Sequence, residues 1–116
     1  MSEWSIWKEV CDIGWKVCVD PKFQNADKIF PTQQKDVAIL LEVMQSQEHV
    51  KRVVIFGSSV TSACNPWSDL DVFVELSDNV KVKKPNLSVP LDLWTNYDVD
   101  DRLRMEIEES GVTVFG

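Results

Sequence analysis

Residues 69–76 read Asp69-Leu70-Asp71-Val72-Phe73-Val74-Glu75-Leu76, a strict apolar/polar alternation of period two, which is the signature of a half-buried strand. Successive side chains of a strand point to opposite faces. Leu70, Val72, Val74 and Leu76 therefore form a core face, and Asp69, Asp71, Phe73 and Glu75 stand on the other. At roughly 3.3 Å per residue, the two aspartates project side by side about 7 Å apart along the strand.

Working outward, residues 51–56 (Lys-Arg-Val-Val-Ile-Phe) form a short β-branched run that ends at Gly57 and predicts a second strand. Residues 58–63 leave room for one or two helical turns before the Asn65-Pro66 turn signal. A strand that gives way to a helical turn exposes backbone N–H groups, a favourable seat for phosphate. Gly57 permits close backbone approach there, Ser58 can cap the turn or donate its hydroxyl, and Ser59 follows it. On the far side of the Pro85-Asn86 loop, residues 88–94 predict a third strand. Val89, Leu91 and Leu93 take its core face, and Asp92 shares the other with Pro90 and Trp94. If this strand neighbours 69–76, then Asp69, Asp71 and Asp92 converge. Carboxylates at close range push one another's pKa upward, and magnesium, which favours carboxylate oxygen, offsets that repulsion.

The rest of the chain supplies covering elements. Pro31-Thr32 opens a helix with Val37, Leu40, Leu41 and Met44 on one face and Thr32 as its expected cap. Residues 100–110 predict a second helix, with Leu103, Ile107 and Met105 inward and Gly111 as its stop, and residues 112–115 predict a closing strand. At the amino end Trp4, Trp7, Cys11, Trp15 and Cys18 recur at three- and four-residue steps, an amphipathic helix broken at Asp20-Pro21. Its tryptophan stripe calls for a partner surface, either the rest of this domain or another chain. The order α-α-β-α-β-β-α-β predicts an α+β fold, an α/β sandwich in which a small mixed β-sheet has helices packed on one face. Residues 1–30 are read as an N-terminal helix and connection, and 31–116 as the domain proper.

Composition bounds the function. The chain has 116 residues, 44% apolar and 27% charged, which suits one globular domain and excludes collagen, disordered and disulfide-scaffold classes. No run approaches the 18 apolar residues of a membrane span, and the start carries Glu3, Lys8 and Glu9 instead of an unbroken signal-peptide core. A cytoplasmic location is the expectation. Net charge is −7, and residues 91–116 hold seven carboxylates against two arginines, so stable, non-specific nucleic-acid binding is not expected. Lys81, Lys83 and Lys84 form the one basic patch, read as a solvated loop. Cys11, Cys18 and Cys64 lack zinc-ligand spacing and read as reduced thiols, and His49 as a turn residue.

The run GSSVTSACNPWSDLDVFVE (57–75) resembles the motif of the DNA polymerase β-like nucleotidyltransferases: Gly-Ser, ten residues, Asp-x-Asp. It looks most like their minimal members, some of which act as antitoxins. The resemblance runs from about Gln34 to Gly116 and includes Val-Pro-Leu-Asp-Leu-Trp (89–94), whose Asp92 matches the family's third carboxylate. It implies transfer of a nucleoside monophosphate, AMP above all, from a nucleoside triphosphate to a hydroxyl on a protein or small molecule. Asp69, Asp71 and Asp92 would be the catalytic carboxylates and hold two Mg²⁺ ions, and Gly57, Ser58 and Ser59 would hold the nucleotide's phosphate tail. The implied partner is a HEPN-type toxin or a second copy of the chain. Where family members often carry Ala-Arg-Gly soon after Gly-Ser, this chain has Val60, Thr61 and Ser62, which implies weaker triphosphate affinity. An antitoxin-like binding protein and a nucleotide-binding module without turnover stand beside the enzyme reading.

Overall fold

The computed structural model describes residues 15–17, 19, 22–61 and 68–116. The alternation at 69–76 becomes strand β2, Leu70–Leu76, and its neighbours are β1, Val50–Phe56, β3, Leu91–Thr95, and β4, Val112–Phe115. Helices α1, Pro31–Gln45, and α2, Asp101–Ser110, flank the strands in sequence, with one-turn 3-10 helices at Ala26–Lys28 and Gly57–Val60. The four strands form one sheet in the order β3-β2-β1-β4. Strand β1 runs antiparallel to both β2 and β4, and β2 runs parallel to β3, so the expected small mixed sheet of an α+β fold is what the chain forms. None of the helices among the described residues is long and apolar enough to cross a membrane.

The even residues of β2 are buried as their spacing requires: Leu70, Val72 and Val74 are completely inaccessible and Leu76 nearly so. With Val53, Ile55 and Val114 they pack against Val37, Leu40, Leu41 and Met44 of α1. Phe23 and Ile29, from the segment before α1, join the same cluster. A leucine such as Leu40 in a core of this kind is worth about 2–5 kcal/mol relative to alanine.

The arrangement of the helices departs from the expectation in one respect, for they divide between the two faces. Central strand β1 is apolar on both sides, and Val54 and Phe56 with Phe73 of β2 build a second cluster capped by Ile107 of α2, with Leu103 packed beside it. A strand buried on both faces reads as a continuous apolar run, which is what 53–56 is. Met105, expected inward, is 59% exposed. Helix α2 starts at Asp100, whose side chain accepts the N–H of Leu103 at 2.8 Å, the usual N-cap arrangement. It ends at Gly111, where φ is −70°. Glycine is needed there because the helix end lies so close to β1 that a Cβ would collide with the Ile107 carbonyl and Val54 Cγ1.

Helix α1 begins differently from expected. Phe30 is its N-cap and Pro31 its first residue; proline's fixed φ and missing N–H suit that position, and Thr32 lies inside the helix. The Phe30 N–H donates to the Ser59 carbonyl at 2.8 Å. Three polar side chains of the first turns, Gln33, Gln34 and Asp36, are buried. Of the expected N-terminal helix, Trp4, Trp7, Cys11 and Cys18 lie outside the described residues, as does Cys64; residues 15–17 are in no regular element. Trp15 packs edge-on against Phe30 with ring centroids 5.4 Å apart, and the Lys16 carbonyl accepts from Gln34 Nε2 at 2.8 Å. At this tryptophan the surface met is the domain's own.

Parallel strands need a crossover, usually helical. Here residues 77–90 contain neither helix nor strand. Val82, Leu87 and Val89 lay this segment onto the α1 side of the core. Gln47 grips it through both amide atoms, Nε2 to the Lys83 carbonyl at 3.2 Å and Oε1 from the Lys83 N–H at 3.0 Å.

Candidate active site

The parallel register sets Asp71 directly opposite Asp92, with Leu70 opposite Leu91 and Phe73 opposite Trp94. Neighbouring strands are roughly 4.8 Å apart, so two carboxylates stand abreast on the face away from the α1 core. Across β1, Asp71 faces Phe56. Phe56 and Trp94 meet at a centroid distance of 5.7 Å, so an aromatic pair adjoins the carboxylate pair. Asp71 is partly buried, whereas Asp92 and Asp69 are exposed. Asp69 lies one residue before β2, outside the ladder.

Gly57 closes the floor of the site. It follows the last residue of β1 with φ at +75°, a left-handed conformation that glycine adopts at no steric cost. A Cβ at Gly57 would collide with Oδ2 of Asp71. The Gly-Ser junction and the aspartate of β2, far apart in sequence, thus touch. The 3-10 turn Gly57–Val60 that follows is shorter than the expected 58–63 helix, and Phe56 is its N-cap. Ser58 lies inside the turn and caps nothing with its side chain; its carbonyl receives both the N–H and the hydroxyl of Thr61, at 3.0 and 3.1 Å. Ser59 is fully buried, and its Oγ has no hydrogen-bond partner among the described residues.

Electrostatics mark Asp71 out. Partial burial, then the charges of Asp92, Asp69 and Glu106, raise its carboxyl from 3.8 to about 6. A carboxylate that is costly to ionise is one whose environment lacks positive charge. Two hard carboxylate oxygens on adjacent strands suit Mg²⁺, which is commonly held by one or two carboxylates together with substrate phosphates and water. The expected three-carboxylate cluster is not closed: among the described residues no group of three or more His, Cys, Asp or Glu side chains is placed to hold a metal ion. Asp71 and Asp92 are brought together, and the charge of Asp69 acts on Asp71 from the strand entrance.

Other candidates resolve simply. Glu75 shares the Asp71 face and lies 3.6 Å from Arg52, whose guanidinium sits 5.8 Å from the Phe73 ring centroid; this is a partly exposed pair away from the carboxylates. His49 lies between Glu48 and Asp78, 3.8 and 3.2 Å away, as a turn residue. Lys81, Lys83 and Lys84 are exposed on the crossover.

Two of the buried polar side chains of α1, Gln33 and Asp36, reach the segments that lead into β2 and β3. Gln33 Nε2 donates to the Ser68 carbonyl at 3.1 Å. Asp36 accepts from the Ser88 N–H at 3.2 Å and the Ser88 hydroxyl at 2.7 Å. Their one signal in the sequence is position, since Gln33 and Asp36 fall on the stripe that continues through Val37 and Leu40.

Compared with known families, residues 37–114 match the sequence model of a nucleotidyltransferase domain. No curated protein matches the chain at a significant level. The matched span takes in the Gly57 junction, β2 with Asp71 and β3 with Asp92.

Proposed function

Because this chain belongs to the nucleotidyltransferase domain family, we propose that it transfers a nucleoside monophosphate, AMP above all, from a nucleoside triphosphate to a hydroxyl on a protein or small molecule, with Mg²⁺. The observation that carries this reading is the Asp71–Asp92 pair, set in register across β2 and β3, with Asp71 packed over Gly57. Asp71, Asp92 and Asp69 are the residues that would hold magnesium. When bound, the ions supply the positive charge that this carboxylate face lacks and that triphosphate chemistry requires.

The protein's own groups divide the remaining work. Gly57, Ser58 and Ser59 are the residues that would receive the phosphate tail, Ser58 through its hydroxyl and the turn through its backbone N–H groups; the Ser59 side chain is buried, and glycine at 57 leaves room for the Asp71 carboxylate beneath. Asp92, exposed beside Asp71, takes the proton of the attacking hydroxyl. A new oxygen–phosphorus bond forms at the α-phosphate as the bond to the β-phosphate breaks, and pyrophosphate leaves. Positioning and electrostatic stabilisation supply most of the acceleration in such reactions.

Val60 and Thr61 supply no cation at the place where relatives often carry arginine, so triphosphate binding by the isolated chain is weak. A protein acceptor would be a second chain, a helical toxin-type protein or another copy of this one, as the family resemblance implies. The test is mass spectrometry of the chain and of candidate helical partners after incubation with ATP and Mg²⁺. A covalently added AMP that depends on Asp71 supports the reading. Nucleotide binding without any transfer to the partner or the chain favours a binding module instead.

A further inference from the structure

Two like charges held opposite each other on a parallel pair need something to keep them there. Parallel pairing is slightly the weaker kind per residue. Strand β3 is a five-residue edge strand, and its crossover has no helix that could fix it by packing. Yet the site depends on register: a slip of one residue would send Asp92 to the core face, and a slip of two would set Asp71 against Pro90 or Trp94.

Helix α1 supplies what the crossover lacks. Gln33 and Asp36, one turn apart on the same face, are 0% and 5% exposed. Gln33 fastens Ser68, just before Asp69, and Asp36 fastens Ser88, three residues before β3. The first rung of the pair, from the Leu70 N–H to the Pro90 carbonyl at 2.9 Å, lies two residues beyond each fastened point. The far end is held separately by Asn96, whose side-chain amide bonds both the N–H and the carbonyl of Leu76. The end that carries the carboxylates is the end that α1 holds.

We propose that Gln33 and Asp36 are positioning residues, buried polar side chains of α1 that fix the register of β2 against β3 and so hold Asp71 opposite Asp92. The proposal rests on the nucleotidyl-transfer reading for its consequence in catalysis, though not for its structural part. Neither residue touches substrate; Gln33 acts through the Ser68 carbonyl, and Asp36 through the N–H and the hydroxyl of Ser88.

The experiment compares the full-length chain with its Asp36→Ala, Asp36→Asn, Gln33→Met and Ser88→Ala variants by backbone amide hydrogen exchange and by steady-state transfer. In Asp36→Ala and Gln33→Met, amides of the β2–β3 ladder, Leu70 first, should exchange at least tenfold faster, while those of the β1–β4 ladder keep their rates. In the transfer assay kcat should fall tenfold or more, KM for the nucleotide should stay within about threefold, and the Mg²⁺ concentration for half-maximal rate should rise. Asp36→Asn, which keeps an acceptor for Ser88, should recover most of both effects. Ser88→Ala, a change at an exposed residue that spares the fold, should show them in weaker form and decides the matter if a helix variant does not fold. Unchanged exchange at Leu70, or equal acceleration in both ladders, would overturn the proposal, as would a lower melting temperature with kcat and metal requirement intact. If the parent chain shows no transfer at all, the functional reading fails, and the exchange pattern still decides the register claim.

Discussion

The two faces of this one sheet are built from the same strands and to different ends. Toward α1, Val53, Ile55, Leu70, Val72, Val74 and Val114 meet Val37, Leu40 and Met44 in an aliphatic core closed to solvent. Toward α2, a ten-residue helix covers part of the face through Ile107 and Leu103, and the remainder carries Asp71, Asp92, Arg52 and Glu75 beside an aromatic pair. Burial of the first face, worth roughly 25 cal/mol per Å² of apolar surface, sustains the second, where charges stand close at a cost. The comparison teaches that stability and chemistry are separated by the pleat, one residue apart along β2.

The sharpest way to break that comparison is to exchange the roles of neighbouring residues. Asp71→Asn should reduce nucleotidyl transfer a thousandfold or more, about 4 kcal/mol in the barrier, while circular dichroism and the melting curve show a folded chain. Leu40→Ala, on the other face, should cost about 2–5 kcal/mol in denaturant unfolding and leave kcat unchanged in the protein that remains folded. If the first variant unfolds, or the second loses turnover while folded, the faces are not divided as described.

Gly57→Ala joins the faces' junction to the site. A positive φ costs a residue with a Cβ about 1–2 kcal/mol, and the methyl would push on the Asp71 carboxylate. Lower stability and weaker metal-dependent nucleotide binding should therefore appear together, read by calorimetry. Stability lost with binding intact would detach Gly57 from the site.

The pH response sharpens the electrostatic half of the comparison. Asp71 titrates at about 6 in the folded chain against 3.8 ordinarily, so between those values the unfolded chain gives up its proton first. Stability of the metal-free protein should therefore fall as pH rises from about 4 to about 6. After allowance for solvent screening, Asp71→Asn should gain about 1 kcal/mol at pH 8 in metal-free buffer and nothing at pH 3. In the parent chain Mg²⁺ should bind less well as pH drops below 6, because the proton and the ion compete for one carboxylate. The smallest effect belongs to Glu75→Ala, which removes a partly exposed pair with Arg52 and should change stability by about 0.5 kcal/mol or less, with no effect on transfer.

Much of this was legible from the residues. The alternation at 69–76 located β2 to within one residue and assigned its faces correctly, because one face is buried and the other is not. The same rule applied to 88–94 gave the face of Asp92 but not its neighbour: that β3 pairs with β2 in parallel, and that it spans only Leu91–Thr95, came from the structure. What escaped has physical causes. The helices' division between faces was not legible because the short β-branched run 51–56 was read only as a strand, and the unbroken apolar stretch Val53–Phe56 within it has no alternation to show which faces are covered. Gln33 and Asp36 escaped because a polar residue on an apolar stripe looks like a flaw until its partner is known, and the partners lie 35 and 52 residues away. Thr32 as a cap lost to Phe30 because proline at the first helical position sets the boundary two residues earlier.

The central claim is that Asp71, Asp92 and the Gly57 turn form one divalent-metal nucleotide site. Nuclear magnetic resonance of the isotopically labelled chain, titrated with Mn²⁺ and a non-hydrolysable ATP analogue, tests it most directly through paramagnetic broadening of assigned amides. The account expects broadening centred on residues 57–59, 71 and 92, reversed by chelator and lost in Asp71→Asn. Broadening centred elsewhere, or the same broadening in Asp71→Asn as in the parent chain, would contradict it.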